Sequence, residues 1–230
     1  MTSATATALA QLNDEIASCF KCPRLVAWRE KVAREKRAAF ADEEYWGRPV
    51  PGFGDPEATL LVAGLAPAAH GGNRTGRVFT GDRSGDWLFG SMYRTGWANQ
   101  PISVRPGDGL QLIRAYVGAA VRCAPPANKP TPAERDTCLP YLIREMQLLT
   151  KLRVIVALGA FAWDAVLRTE ALRDRPVRPK PRFGHGIEVA LPEVVMIGSY
   201  HPSQQNTFTG VLTEAMLDAI FERARAISAV

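Results

Sequence analysis

Four short apolar runs constrain the fold of this 230-residue chain more than any other feature. They span residues 59–64, 116–121, 153–158 and 194–199, and their apolar residues are continuous rather than alternating. Runs of this kind are typical of parallel strands that are covered on both faces. We therefore predict four buried strands in a mostly parallel sheet.

Helical patterns fill the intervals between these runs. Thr131 to Glu134 has the form of a capping box with proline at the first helical position, which predicts a helix to about Leu149. The other helical patterns lie at 84–96, from 159 onward, at 210–227 and at 5–40, the last with an interruption at 22–23. Strands that alternate with helices predict a three-layer α/β/α sandwich with a central, mostly parallel four-stranded sheet. We expect one domain over residues 1–230.

The charge of the chain suggests a polyanionic partner. The formal net charge is +5, and basic residues cluster in the segments Lys21–Arg37 and Arg173–Arg182. Such clusters suit nucleic-acid phosphates, although solvated helix faces have the same composition. No uncharged apolar run reaches the ~18 residues of a membrane helix, and residues 1–10 lack the layout of a secretory signal. We expect a cytoplasmic monomer that does not bind membranes.

The four cysteines predict one shared metal site. Cys19 and Cys22 form a Cys-x2-Cys motif in the N-terminal helical region. Cys123 directly follows a predicted strand, and Cys138 lies in the capped helix. Disulfides are not expected in the cytoplasm, and zinc ribbons usually have a second Cys-x2-Cys knuckle, which this chain lacks. Four thiolates also suit an iron–sulfur cluster, so the spacing alone leaves zinc, iron–sulfur and four unrelated core thiols open.

Two loops at the carboxyl ends of the predicted strands carry polar residues. The loop after the first strand, residues 64–82, is long and rich in glycine, and it lacks the pattern of a P-loop. The fourth strand leads into His201, one of three histidines in the chain. Because ligands of open α/β sheets bind beyond the carboxyl ends of the strands, we expect a site between these loops.

Three motifs in these loops carry a resemblance to a known family. Gly-Leu-Ala-Pro-Ala at 64–68, Gly-Arg-Val-Phe-Thr-Gly-Asp at 76–82 and His-Pro-Ser at 201–203, together with the cysteine spacings, resemble the family 5 (type B) uracil-DNA glycosylases. This family is the iron–sulfur branch of the uracil-DNA glycosylase superfamily, and the resemblance covers residues 19 to about 212. It implies removal of uracil from DNA, which leaves an abasic site. It also implies a structural [4Fe-4S] cluster held by Cys19, Cys22, Cys123 and Cys138.

The chemistry of glycosidic-bond cleavage suggests catalytic roles for two residues. Cleavage builds positive charge on the sugar and negative charge on the departing base, and a site should stabilise both. Asp82 is the only carboxylate between Leu65 and Ser84, and the resemblance also favours it for positioning water and stabilising the sugar cation. It could instead cap the helix that begins near Ser84. His201 is expected to donate a hydrogen bond to the departing base.

The resemblance further implies a base pocket and a DNA surface. Phe79 is expected to stack on the flipped base, although it could be a core phenylalanine. The residues expected around the base are Gly64, Leu65, Ala66, Pro67, Phe79 and Ala119. The expected DNA contacts are His70, Asn73, Arg74, Ser203, Gln205, Asn206 and Thr207. Within this set, residues 203–207 are expected to enter the minor groove and to fill the gap left by the extruded nucleotide.

Ala119 bears on substrate range. In a related iron–sulfur branch the corresponding position carries an asparagine that reads the edge of uracil, and loss of such a reader should relax discrimination. We therefore expect activity on other deaminated or damaged bases, such as hypoxanthine. Two alternatives stay open: a narrow uracil-only glycosylase, and a non-catalytic nucleic-acid-binding protein with a metal-stapled fold. The lack of a carboxylate in the first motif favours the second of these.

Overall fold

The fold is built on one twisted sheet, which a computed structural model describes together with its helices over residues 4–229. Residues 1–3 and 230, which the predicted domain includes, lie outside the described residues. The strands in chain order are β1 (Phe53–Gly54), β2 (Leu60–Gly64), β3 (Ala115–Ala119), β4 (Val154–Leu158), β5 (Glu188–Ala190) and β6 (Val195–Ser199). Their spatial order is β1-β3-β2-β4-β6-β5.

The helices alternate with the strands along the chain. The α-helices of the described residues are α1 (Ala4–Ala17), α2 (Pro23–Glu35), α3 (Gly72–Thr75), α4 (Arg83–Arg94), α5 (Pro132–Leu148), α6 (Ala160–Leu172), α7 (Gln204–Phe208) and α8 (Glu214–Ser228). Two 3-10 helices span Ala38–Phe40 and Pro126–Asn128. No helix within residues 4–229 is long and apolar enough to cross a bilayer.

The four predicted strands are confirmed as the central parallel part of the sheet, β3-β2-β4-β6. The sheet differs from the prediction in having six strands rather than four. The two additional strands, β1 and β5, pair antiparallel at the two edges and are two and three residues long. Strands this short and only partly covered leave no apolar run in the sequence, which explains why the sequence did not predict them.

Successive side chains of β2 enter two separate cores, as the three-layer prediction requires. Leu60 and Val62 pack with α4 and α8 on one face, whereas Leu61 and Ala63 pack with α5 and α6 on the other. All four side chains are fully buried. Burial of a leucine side chain stabilises a fold by about 1.5–3 kcal/mol, so the continuous apolar runs hold helices on both faces of the sheet. The α/β/α sandwich is thereby confirmed.

Side-chain caps define where the helices begin. The predicted capping box is confirmed, since the Glu134 amide donates to Thr131 Oγ1 at 3.2 Å and the Thr131 amide donates to Glu134 Oε2 at 2.8 Å. The C-terminal helix begins at Glu214 rather than at residue 210, with Thr213 as its cap. The preceding residues form the separate short helix α7, which Ser203 caps. The segment 203–208 follows the carboxyl end of β6 after a short loop, residues 200–202.

Candidate active site

A cavity of about 950 Å³ opens at the carboxyl ends of the parallel strands, between the loop after β2 and the loop after β6. Its location is the one expected for a ligand site in an open α/β sheet. Eight of the predicted site residues line it: Leu65, Ala66, His70, Phe79, Asp82, His201, Ser203 and Gln205. The other residues predicted to bind the base or DNA, which do not line it, are Gly64, Pro67, Asn73, Arg74, Ala119, Asn206 and Thr207.

Asp82 has a structural contact as well as a place in the cavity wall. It is the N-cap of α4, and its Oδ1 accepts a hydrogen bond from the Gly85 amide at 3.0 Å. Its Oδ2 lies so close to Gly71 that a β-carbon at that position would overlap it. Burial raises the pKa of Asp82 above the usual carboxyl value, and the hydrogen bond from Gly85 opposes this rise. Asp82 can therefore cap α4 and line the cavity at the same time.

His201 and Phe79 lie side by side in the cavity wall, on loops that follow different strands. Their ring centroids are 5.9 Å apart, with 33° between the ring planes. The His201 backbone is fixed by Asn206, whose Nδ2 donates to the His201 carbonyl at 2.9 Å. Burial lowers the pKa of His201 to about 4, so the imidazole is neutral at neutral pH. A neutral imidazole still has one N–H donor to offer a ligand.

The Phe79 ring is held in place by the loop that carries it. Its backbone has a φ of 52°, a left-handed conformation that is costly for a large side chain and is often found at functional sites. Its ring packs directly on Gly64, where a β-carbon would come within 2.7 Å of Phe79 Cε2. Arg77 anchors the same loop, because its guanidinium donates to Thr80 Oγ1 at 3.0 Å and to Asp108 Oδ2 at 2.6 Å.

Asn73 and Arg74 are buried, which the sequence did not predict for residues expected to contact DNA. The Asn73 side chain is fully buried, and its Nδ2 donates to the Arg29 carbonyl at 3.2 Å. The Arg74 guanidinium pairs with Glu43 and donates to the Gly81 carbonyl at 3.1 Å. These contacts stabilise the fold of the glycine-rich loop. Direct contact with DNA would require either side chain to leave its present partners.

Ala119 is the last residue of β3 and lies in the core rather than in the cavity wall. It is 1% exposed and pairs in register with Gly64 of β2. Gly64 directly precedes Leu65, which lines the cavity, so Ala119 lies one residue behind the cavity wall. A role for Ala119 in base selection stays a prediction.

The segment 203–208 lies at the mouth of the cavity. Gln205 is exposed, whereas the Thr207 hydroxyl donates to the Ser203 carbonyl within the segment and the Asn206 side-chain amide donates to the His201 carbonyl just before it. Phe208 is 68% exposed, and the Arg83 guanidinium carbon lies 5.4 Å from the centroid of its ring. The segment thus presents both polar and aromatic side chains to solvent.

Several residues of the cavity wall were not predicted from the sequence. Arg37, Phe40 and Asn128 reach the cavity from the segment after α2 and from the loop after β3. Tyr45 does not line it, but its hydroxyl lies 3.0 Å from His70 Nδ1 and fixes that ring. Arg37 belongs to the basic segment 21–37, and this charge cluster was the sequence signal that could have placed it here. Phe40 and Asn128 have no comparable signal, because their positions depend on how distant segments pack.

The four cysteines share one apolar cluster beside this cavity. Cys19 and Cys22 contribute to it from the turn between α1 and α2, Cys123 from the loop after β3, and Cys138 from α5. All four are free thiols. Burial raises the pKa of Cys123 to about 11 and that of Cys138 to about 12.

Nitrogen donors reach two of these sulfur atoms. Arg29 NH1 lies 3.1 Å from Cys123 Sγ, and the Arg122 amide lies 3.4 Å from Cys138 Sγ. Within residues 4–229, no group of three or more His, Cys, Asp or Glu side chains has an arrangement that could hold a metal ion. The shared metal site therefore stays a prediction.

The fold and the cavity define a class of protein: an α/β/α sandwich with a glycine-rich loop and a His-Pro-Ser loop on either side of one cleft. The family model of the uracil DNA glycosylase superfamily matches residues 51–225, and the chain belongs to that superfamily.

Comparison with curated relatives narrows this class. The chain is 53% identical over 232 residues to the Type-5 uracil-DNA glycosylase of Mycobacterium leprae (strain TN), with 100% of each chain covered. It is 51% identical over 212 residues to the Type-5 uracil-DNA glycosylase of Thermus thermophilus, and this alignment covers 91% of this chain and 94% of the relative. A Type-4 uracil-DNA glycosylase of Pyrobaculum aerophilum is 30% identical over 201 residues, with 85% and 83% covered. The chain is thus more similar to these two Type-5 relatives than to the Type-4 relative.

Proposed function

We propose that this chain is a monofunctional glycosylase that hydrolyses the bond between uracil and deoxyribose in DNA and leaves an abasic site. The observation that carries the proposal is the meeting of Asp82, Phe79 and His201 in one cavity. A carboxylate, a flat apolar ring and a neutral donor are the groups that this reaction needs at a flipped nucleotide. The Type-5 relatives support the choice of uracil. We also propose that the chain forms one domain and acts as a monomer.

Each of these residues has a distinct task in the reaction. The bond between sugar C1′ and the base nitrogen breaks, and its electron pair leaves with the base. Asp82 stabilises the sugar cation and takes a proton from the water that bonds to C1′. His201 donates its N–H to the oxyanion that develops on the base. Phe79 stacks on the base and holds it outside the duplex.

The approach of DNA is supported by cations and polar groups around the cavity mouth. Arg37 and Arg83 line this mouth, as do Ser203 and Gln205 of the segment 203–208. Phosphate contacts by such cations supply affinity without sequence specificity, which suits an enzyme that must search duplex DNA.

A strand-cleavage assay tests the proposal. The chain is incubated with a duplex that contains one uracil, and the product is then treated with alkali. A strand break at the uracil that appears only after alkali supports a monofunctional glycosylase. Retention of the duplex in a binding assay without any alkali-dependent break would instead indicate a DNA-binding protein and would overturn the proposal.

The proposed substrate range extends to other deaminated bases such as hypoxanthine. Ala119 lies behind the cavity wall, and its methyl group cannot donate or accept the hydrogen bonds by which an asparagine at this position would reject such a base. A matched duplex with hypoxanthine in place of uracil, assayed in parallel, separates this range from a narrow uracil-only activity. Absence of cleavage at hypoxanthine beside full cleavage at uracil would restrict the range.

The proposed cofactor is a structural [4Fe-4S] cluster on Cys19, Cys22, Cys123 and Cys138. Their side chains share one apolar cluster, and four thiolates are the ligand set that a [4Fe-4S] cluster takes. When bound, such a cluster cross-links α1, α2 and α5 to the loop after β3 and contributes to folding. Iron and sulfide analysis of the brown protein tests this cofactor. Stoichiometric zinc in a colourless, folded and active protein would overturn the cluster and leave the glycosylase proposal intact.

A further inference from the structure

One buried cation near the cysteines lacks a full set of partners. Arg29, on α2, is fully buried. Its NH1 donates to the Cys19 carbonyl and to Cys123 Sγ, each at 3.1 Å. Within residues 4–229, its Nε and NH2 have no hydrogen-bond partner. A carboxylate oxygen of Glu30 lies 4.0 Å from NH2, but the Glu30 side chain is 41% exposed.

A second buried arginine shows how this fold compensates such a charge elsewhere. The Arg122 side chain is also fully buried, but its NH1 and NH2 both donate to the buried carboxylate of Glu145. Transfer of a guanidinium out of water is costly unless a buried anion and hydrogen bonds offset the loss of hydration. Arg122 has that anion within the protein. Arg29 has instead the sulfur of Cys123, the carbonyl of Cys19 and the face of the Phe20 ring, whose centroid lies 4.9 Å from its guanidinium carbon, and none of these carries a full negative charge.

The four cysteines can supply the missing negative charge once they hold a metal centre. Four thiolates carry four negative charges, and the 2+ core of a [4Fe-4S] cluster neutralises two of them. The remaining charge spreads over the sulfur atoms, including Cys123 Sγ, to which Arg29 donates. We propose that Arg29 is the buried counter-charge of this cluster and raises its reduction potential. This inference rests on the proposed cofactor and goes beyond it, because it assigns a role to a residue that is not a ligand.

The direction of the effect follows from electrostatics. A fixed positive charge beside the cluster stabilises the more negative, reduced form relative to the oxidised form. Removal of that charge lowers the reduction potential and makes oxidative loss of iron easier. Solvent does not screen the effect strongly, because Arg29 is buried in an apolar cluster.

Three variants of the loaded protein separate this role from a general effect of charge. Arg29→Gln removes the cation but keeps the backbone carbonyl that accepts from Asn73. Arg29→Lys keeps the cation but loses the fork of N–H donors. Arg34→Gln is the matched control, since it removes one positive charge from an exposed position of the same helix. The measurements are the reduction potential of the cluster by voltammetry and the rate of iron release in air.

We expect Arg29→Gln to have a lower potential than Arg34→Gln and to lose iron about tenfold faster or more, in line with other residues around metal ligands. The reduction potential and the rate of iron loss of Arg29→Lys should lie between those of Arg29→Gln and Arg34→Gln. Equal potentials and equal iron loss in brown Arg29→Gln and Arg34→Gln would overturn the role of Arg29 and leave the cluster intact. If Arg29→Gln does not fold, the neutral variant Arg29→Met takes its place: a potential equal to that of Arg34→Gln overturns the role, and a lower one supports it. A wild-type protein that contains no iron would overturn the proposed cofactor itself.

Discussion

The rings of Phe79 and His201 lie 5.9 Å apart, although the two residues come from loops that follow different strands of the sheet. Phe79 reaches this position because Gly64, at the end of β2, has no side chain to displace its ring. The pair therefore depends on a glycine that does not itself line the cavity.

Replacement of this glycine tests the placement of the ring. Gly64→Ala adds a β-carbon that would come within 2.7 Å of Phe79 Cε2, so the ring must shift. We expect base excision from uracil-containing duplex to fall about 10-fold to 100-fold, because small misplacements at a reacting centre are costly. Phe79→Leu combined with Gly64→Ala should fold as well as Phe79→Leu alone, since the smaller side chain relieves the overlap. Wild-type rates in Gly64→Ala would show that the ring does not hold the base.

The variant Asp82→Asn separates the capping role of Asp82 from its proposed catalytic role. An asparagine side chain can still accept the hydrogen bond from the Gly85 amide, so α4 keeps its cap. It cannot accept a proton from water, and we expect single-turnover base excision to fall by about 10²–10⁴. Asp86→Asn is the control, because Asp86 lies exposed in the first turn of the same helix. Equal rates for Asp82→Asn and Asp86→Asn would leave Asp82 with a capping role alone.

The raised pKa of Asp82 also predicts how stability and activity depend on pH. Burial disfavours the charged carboxylate in the folded protein, and Gly85 and Arg74 oppose this only in part. The resulting destabilisation is absent at low pH, where the folded and unfolded forms are both protonated, and is complete above the folded-state pKa. We therefore expect Asp82→Asn to raise Tm at neutral pH, with the difference shrinking as the pH falls. Wild-type activity should decline over the same interval. A Tm difference that does not change with pH would contradict this linkage.

The sequence predicted the parts of the site that depend on short distances along the chain. His201 was predicted from its place after the fourth apolar run, because a parallel sheet brings the carboxyl ends of its strands together. Phe79 and Asp82 were predicted from the resemblance of the glycine-rich loop 64–82, and Asp82 also because it is the only carboxylate between Leu65 and Ser84. Phe40 and Asn128 were missed, since they reach the cavity only through packing between segments far apart in sequence.

Packing between distant segments also explains why Asn73 and Arg74 are buried, although the sequence suggested that they are exposed. Polar residues in a glycine-rich loop suggest exposure, yet the partners that bury these two side chains, Arg29 and Glu43, come from the N-terminal region. Burial of a polar side chain depends on whether a partner meets it in space, and no local pattern in the sequence shows this. The edge strands β1 and β5 were missed for a related reason, because their pairing rather than their composition defines them.

The basic segment after α2 predicts a salt-dependent contact with DNA. Arg37 is exposed at the wall of the cavity, where a phosphate of bound DNA can approach it. Arg37→Gln should reduce the slope of log K against log salt concentration by about 0.9 for one lost phosphate contact. Lys151→Gln is the control, because Lys151 lies just before the amino end of β4, whereas the cavity lies at the carboxyl ends of the strands, and it pairs with Glu57. The same slope for both variants would place Arg37 outside the DNA contact.

The low pKa of His201 predicts that the neutral imidazole is the form that acts. NMR titration of the histidine ring protons should give a midpoint near pH 4 for one of the three histidines, and His201→Gln should remove that signal. Because the ring is already neutral above this pH, activity should show no step near the ordinary histidine value of about 6.5 that depends on His201. His201→Ala should still lower base excision by about 10²–10³, since the departing base loses a donor that is placed where its charge develops. A His201 midpoint at or above the ordinary value would mean that an imidazolium faces the base, and the acid side of the pH profile would then follow its titration.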